Sequence, residues 1–175
     1  MPSLVGSEMC IRDSNYMDIV IENVSYQNKK DARILEAVLI NWFRNPKELN
    51  LVDPTISYPF RYNKWVTLNY LDPDTHVFVI KKNKWVIGIG SMKAIPNTKI
   101  VEIFHIYIDS EYRRQSLSKK ILRHLESLAV KENAEFMNAR IMPKNIIANA
   151  LFKSEGYIEK EKTGRKIKIF QKKLN

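Results

Sequence analysis

The sequence predicts an α/β (α+β) domain on a mixed central sheet of about seven strands, and three observations carry that prediction. Short stretches with period-two apolar alternation and longer ones with helical spacing follow one another in the order β-α-α-β-β-β-α-β-α-β-β. Residues 76–81, 85–95 and 99–109 read as three strands in succession, joined by tight turns at 82–84 and 96–98, which makes an antiparallel meander. A helical run from Ser116 to Lys131 then leads to a strand at 134–141, and a crossover of that kind joins parallel neighbours.

The remaining elements follow in order. A first strand is expected over 18–25, where Ile19, Ile21 and Val24 alternate with polar neighbours. Ile34, Leu35, Val38, Leu39 and Trp42 form the apolar stripe of a helix over 31–44, which Asn45-Pro46 terminates. Residues 49–62 carry turn-favouring positions at Pro54, Ser57 and Pro59 and read as irregular, with a short helix over 63–70. Beyond the strand at 134–141 come a helix at 146–154 and strands at 157–160 and 166–171, with Gly164 marking the hairpin between them.

At 175 residues the chain can bury a core without disulfides as one domain. Its 45% hydrophobic and 27% charged residues suit a soluble globular protein, and no apolar run approaches the roughly 20 residues needed to span a bilayer. The sole cysteine, Cys10, has no internal partner, which favours a reducing, cytoplasmic setting. Residues 1–16 lack the features of a secretory signal and look like translated sequencing-adapter text. The domain is therefore expected to run over 17–175, the alternative being a native disordered tail. Net charge is +10, and the leader contributes −1 of it (Arg12 against Glu8 and Asp13), so the rest carries +11. Such a balance suits acidic partners, although the lysines near the end, among them Lys168 and Lys172, also read as a solvated strand face.

Three histidines and no cysteine in the domain supply no metal ligand cluster, and no Gly-x-Ser-x-Gly elbow supports a serine hydrolase. A nucleic-acid-binding domain has the charge in its favour but no helix-turn-helix, zinc or RNA-binding signature.

The most informative stretch is Tyr112-Arg113-Arg114-Gln115-Ser116-Leu117-Ser118, which follows an apolar strand and opens a helix. A strand passing through a short polar turn into a helix leaves backbone N–H groups aimed at one point, at the positive end of the helix dipole. With two arginines in the turn and Lys119 and Lys120 after it, a phosphorylated cofactor is the expected occupant. Taken alone, the turn is equally an ordinary capped surface helix. Downstream, Asn145, Ala148, Phe152, Gly156 and Tyr157 stand at the spacing Asn-x-x-Ala-x-x-x-aromatic-x-x-x-Gly-aromatic.

Together the two stretches resemble the Gcn5-related N-acetyltransferase (GNAT) superfamily. Its first signature is Arg/Gln-x-x-Gly-x-Gly/Ala, and this chain has Arg113, Ser116 and Ser118 at those places, serine standing at both glycine positions. The second signature is complete, and the resemblance covers 18–174. It implies a sheet with helices on both faces, fourth and fifth strands that run parallel and splay apart, and acetyl-CoA (coenzyme A) between them. It also implies direct transfer of acetyl to a primary amine, whether a protein N-terminus, a lysine or a small amine. No membrane partner is expected, and the quaternary state is open between monomer and homodimer.

By resemblance, backbone N–H groups over Arg114, Gln115, Ser116, Leu117, Ser118 and Lys119 contact the pyrophosphate, with Arg113 at the turn's start. Both serine hydroxyls could donate to phosphate, and serine is a favoured N-cap. Asn145 and Ala148 orient the pantetheine arm, Phe152 lies near the sulfur, and N–H groups near Ile106, Tyr107 and Ile108 polarise the thioester carbonyl. Phe152 stands where relatives often carry a tyrosine acid, and phenylalanine has no proton to give. For the base, Glu102 has the spacing of the catalytic glutamate of Gcn5-type enzymes, and His105 is its rival. Strict alternation would place Glu102, Phe104, Ile106 and Ile108 on one face and Ile103, His105 and Tyr107 on the other. Tyr58, Phe60, Tyr62 and Trp65 are the candidates for acceptor contact, or else a satellite hydrophobic cluster. The serines and Phe152 also leave open a non-catalytic acyl-CoA-binding regulatory module.

Overall fold

The computed structural model describes residues 18–160 and 167–175; the leader, Cys10 and the expected turn at Gly164 lie outside them. The elements are β1 (Ile19–Val24), α1 (Lys29–Trp42), α2 (Pro46–Val52), α3 (Tyr62–Asn69), β2 (Thr75–Lys82), β3 (Trp85–Ala94) and β4 (Ile100–Ile108). After a 3-10 turn at Ser110–Tyr112 come α4 (Leu117–Lys131), β5 (Phe136–Ile141), α5 (Ile146–Ser154), β6 (Ile158–Lys160) and β7 (Lys168–Lys173). The seven strands form one sheet in the order β1-β2-β3-β4-β5-β7-β6. β4 and β5 pair in parallel, and the other described pairs are antiparallel. No described helix is long and apolar enough to cross a membrane.

Each sheet face is covered by its own helical layer. Ile121, Leu122 and Leu125 of α4 and Phe152 of α5 pack on Ile103, Met137 and Phe170. Gly90 lets α4 come this close, because a Cβ there would meet Ile121 Cδ1 at 2.7 Å. On the opposite face Leu35, Leu39, Phe43 and Trp65 from α1 and α3 enclose Tyr70 and Tyr107. Burying each such side chain contributes about 1.5–3 kcal/mol, which is how both layers stay fixed to the sheet between them.

Two expectations need correction. The start of the segment read as irregular, 49–62, belongs to α2. Asn45 ends α1's connection and then caps α2, its side chain accepting from the Lys47 N–H, with Pro46 in the first turn and Glu48 complementing the dipole. The second correction concerns β4. Its register with β3 slips between Ile89↔Tyr107 and Ser91↔Phe104, and His105 takes a left-handed backbone conformation, φ 54°. This bulge inserts one residue and resets the alternation. Phe104, His105 and Tyr107 therefore pack together in the α1–α3 layer, whereas Ile103, Ile106 and Ile108 face α4 and α5.

Candidate functional site

β4 and β5 pair only from Ile100↔Phe136 to Ile103↔Ala139. Past that point β4 runs on to Ile108 without β5, which stays paired with β7 as far as Ile141↔Lys168. The two strands part at their C-terminal ends, and the chain leaving β4 enters α4 there, so a helix N-terminus faces the gap. The resulting cleft measures about 780 Å3. Ile106, Tyr107 and Ile108 border it from β4, and Asn145, Ala148 and Phe152 from α5. Arg113, Arg114, Ser116, Leu117, Ser118 and Lys119 border it from the turn and α4. Of the residues expected at the cofactor, Gln115 alone is not on its wall.

The turn keeps a backbone that glycine normally supplies. Arg114 and Ser116 both have positive φ, 64° and 59°. Ser116 precedes α4 in the cap position, yet its side chain makes no capping hydrogen bond, which corrects the expected serine cap. Among the described residues no acceptor takes the backbone N–H groups of residues 114–119. A row of unengaged amides at a helix start, flanked by Arg114 and Lys119, has the donor chemistry that a diphosphate needs. Coenzyme A's diphosphate fits that donor set.

Arg113 is committed elsewhere. Its guanidinium donates to both carboxylate oxygens of Glu48 (3.3 and 2.9 Å), its Nε donates to the Ile108 carbonyl at 3.0 Å, and it lies 5.2 Å over the Tyr107 ring. Burial works against its charge, but Glu48 outweighs that and raises the pKa. Arg113 thus ties the turn to α2, whose Glu48, Leu51 and Val52 form a wall that sequence reasoning missed. The sequence signal for that wall was Asn45-Pro46 followed by an acid, a helix start. Asn145 caps α5 by accepting from the Ala148 N–H at 3.1 Å. Phe152 is a buried core residue, edge-on to Tyr157, as well as a cleft residue.

The two base candidates separate clearly. Glu102 is half-buried; one carboxylate oxygen lies 3.4 Å from Arg140 Nε, and the residue sits in the paired part of β4, one step before the strands part. Arg140 borders the cleft and Glu102 does not. His105 borders the cleft, yet its side chain is 3% exposed and both ring nitrogens are already occupied, which leaves neither free to take a proton. Nδ1 is 2.6 Å from Tyr70 Oη and Nε2 is 2.7 Å from Asp53 Oδ2, while the ring stacks on Trp65 at 3.9 Å. Burial holds the His105 pKa below 6.5 despite Asp53. For Asp53 burial pulls upward, but His105 and Thr55 prevail and keep it below 3.8. Burial also pushes the Tyr70 phenol far above its usual value.

None of Tyr58, Phe60, Tyr62 and Trp65 borders the cleft. Trp65 is wholly buried, its Nε1 donates to Tyr26 Oη at 2.9 Å, and Phe60 packs against both Trp65 and Phe43. Phe60 and Tyr62 are half-buried against the same layer, and Tyr58 is exposed. Among the described residues no group of three or more His, Cys, Asp or Glu could hold a metal ion.

The family model for the Acetyltransferase (GNAT) family matches residues 37–157. The chain belongs to the GNAT family. Its GNAT fold is shared with the GNAT domain of S. lividans PAT, at a TM-score of 0.74 and 14% identity, covering 88% of this chain and 89% of that one. The PaiA N-acetyltransferase from Thermoplasma acidophilum, solved in complex with coenzyme A, matches at 0.66 and 16% identity, covering 89% and 99%. The ribosomal-protein-S18-alanine N-acetyltransferase from Escherichia coli matches at 0.63 and 15%, covering 89% and 92%. At these identities the likeness is one of fold. No curated protein matches this GNAT chain in sequence.

Proposed function

We propose that this GNAT member is an acetyl-CoA-dependent N-acetyltransferase that passes the acetyl group directly to a primary amine in a ternary complex. The observation that carries the reading is the open row of backbone amides from residues 114–119, set where β4 and β5 part. The coenzyme A complex of the PaiA neighbour supports it.

Acetyl-CoA supplies an activated thioester; the protein's residues bind, orient and move protons. Amides at the α4 entrance would hold the diphosphate, and Asn145, Ala148 and Phe152, which line the cleft, would wall the pantetheine arm. The N–H groups of Ile106 and Ile108, which β4 turns away from β3, would offer donors to the thioester carbonyl oxygen. An alkylammonium with a pKa of about 10 must first lose a proton, and Glu102, beside the cleft-lining Ile103 and Arg140, is the carboxylate assigned to take it. Phe152 offers no acid, and with a thiol pKa of about 8.5 the departing thiolate needs none. The acceptor is a protein N-terminus, a lysine or a small amine; the basic exterior disfavours polycations.

Two measurements test this reading. Ser118→Asp places a carboxylate in the first turn of α4, which suits the helix dipole yet repels phosphate. Titration calorimetry with coenzyme A is expected to show binding by the wild type and at least about tenfold weaker binding by the variant. In parallel, acetyl-CoA and a broad amine panel are expected to give transfer that Glu102→Gln lowers by about 100-fold or more. Coenzyme A binding with no transfer to any amine favours the second reading, a non-catalytic acyl-CoA-binding module. That reading has its own support in the Glu102–Arg140 contact and the missing acid at Phe152.

A further inference from the structure

His105 is a non-glycine residue with positive φ, a conformation that costs about 1–2 kcal/mol and persists only where surroundings over-determine it. Its surroundings do so from several elements. Asp53, at the end of α2, lies 2.7 Å from Nε2, and Tyr70, at the end of α3, lies 2.6 Å from Nδ1. Tyr70 Oη is also 2.8 Å from Ser91 Oγ on β3, and the Trp65 ring covers the imidazole. With Asp53 ionised and the imidazole neutral, each donor has one acceptor. Ser91 donates to Tyr70, Tyr70 to Nδ1, and Nε2–H to Asp53, whose other oxygen accepts the Thr55 N–H at 2.9 Å.

We propose that Asp53, His105 and Tyr70 are positioning residues whose buried chain fixes the β4 bulge and so aims into the cleft the backbone N–H groups that β4 turns away from β3, those of Ile106 and Ile108. The bulge lies immediately before those residues and just past the last β4–β5 pair, so its geometry sets the direction in which β4 leaves. A proton path is excluded by the ends of the chain: Asp53 and Ser91 are both buried, and Glu102 contacts Arg140 instead. The inference rests on the acetyltransferase reading for the use made of those N–H groups.

Tyr70→Phe removes one hydroxyl and keeps the packing; Asp53→Ala and His105→Gly remove the other links, the glycine retaining access to positive φ. In the cofactor-free protein, the amide resonances of Ile106–Ile108 are expected to move in Tyr70→Phe and Asp53→Ala, although both sites lie in the opposite layer. With acetyl-CoA isotopically labelled at the thioester carbonyl, the bound wild-type carbonyl resonance is expected downfield of the free one. In all three variants it returns towards the free position while the coenzyme A Kd stays within about twofold. An unchanged carbonyl resonance in folded variants, or its retention in His105→Gly, overturns the positioning role. Wild type that binds no acetyl-CoA, or binds it without displacing the carbonyl resonance, overturns the acetyltransferase reading itself and the positioning role with it.

Discussion

His105 and Ser116 border the same cleft, and both hold a backbone conformation that L side chains avoid. His105 is held by two hydrogen bonds and a stacked tryptophan inside a closed layer. Ser116 stands in an exposed turn with no side-chain bond to hold it. The difference separates two ways of building a strained backbone. In the bulge the side chain is the reason for the conformation. In the turn the conformation is what the site needs, and the side chain is a cost that glycine would remove.

Replacing the histidine is the harshest way to probe that contrast. His105→Ala leaves Asp53 and Tyr70 buried without their partner and keeps the backbone strain, so urea unfolding is expected to show a loss of about 3–5 kcal/mol. Glycine at the same site is expected to recover about 1 kcal/mol of that loss and no more, because it relieves the strain without restoring the chain. Equal stability of His105→Gly and wild type would break the comparison.

Milder changes sharpen it. Tyr70→Phe strands only Nδ1 and the Ser91 hydroxyl, a loss of about 1–3 kcal/mol by the same measurement. Ser116→Gly should act in the opposite direction, stabilising by about 1 kcal/mol and leaving coenzyme A affinity equal or tighter, whereas Ser116→Ala should change stability little. A destabilised Ser116→Gly would show that the serine holds the turn after all.

The smallest effect is on pH dependence. The His105 pKa is depressed by folding, so the unfolded chain binds more protons between its folded value and 6.5. Its contribution is complete above pH 6.5 and declines as pH falls from there towards the folded value; the depressed Asp53 adds a further decline below 3.8. Stability curves of wild type and His105→Gly are expected to differ in slope below pH 6.5, with wild type the steeper.

Where the sequence could be read, local patterns sufficed. The meander, the crossover into β5 and the helix at 146–154 follow from period-two and helical spacing, and the turn that opens α4 follows from a polar break between a strand and a helix. The helix α2 was hidden because Asn45-Pro46 was read only as a stop, although the same pair starts a helix. Strict alternation failed in β4 because nothing local marks a histidine as a bulge; its partners Asp53 and Tyr70 stand 52 and 35 residues away in sequence.

The sequence by itself determined the order of elements apart from α2, the polar turn that opens α4 and the GNAT signature, because backbone chemistry and side-chain periodicity act over a few residues. Tertiary structure alone decided that Arg113 holds Glu48, that Trp65 is core and that His105 is locked beneath the cleft. Each of these depends on which distant groups meet in a closed layer, where a buried hydrogen bond unmade is costly enough to dictate what every neighbour must do.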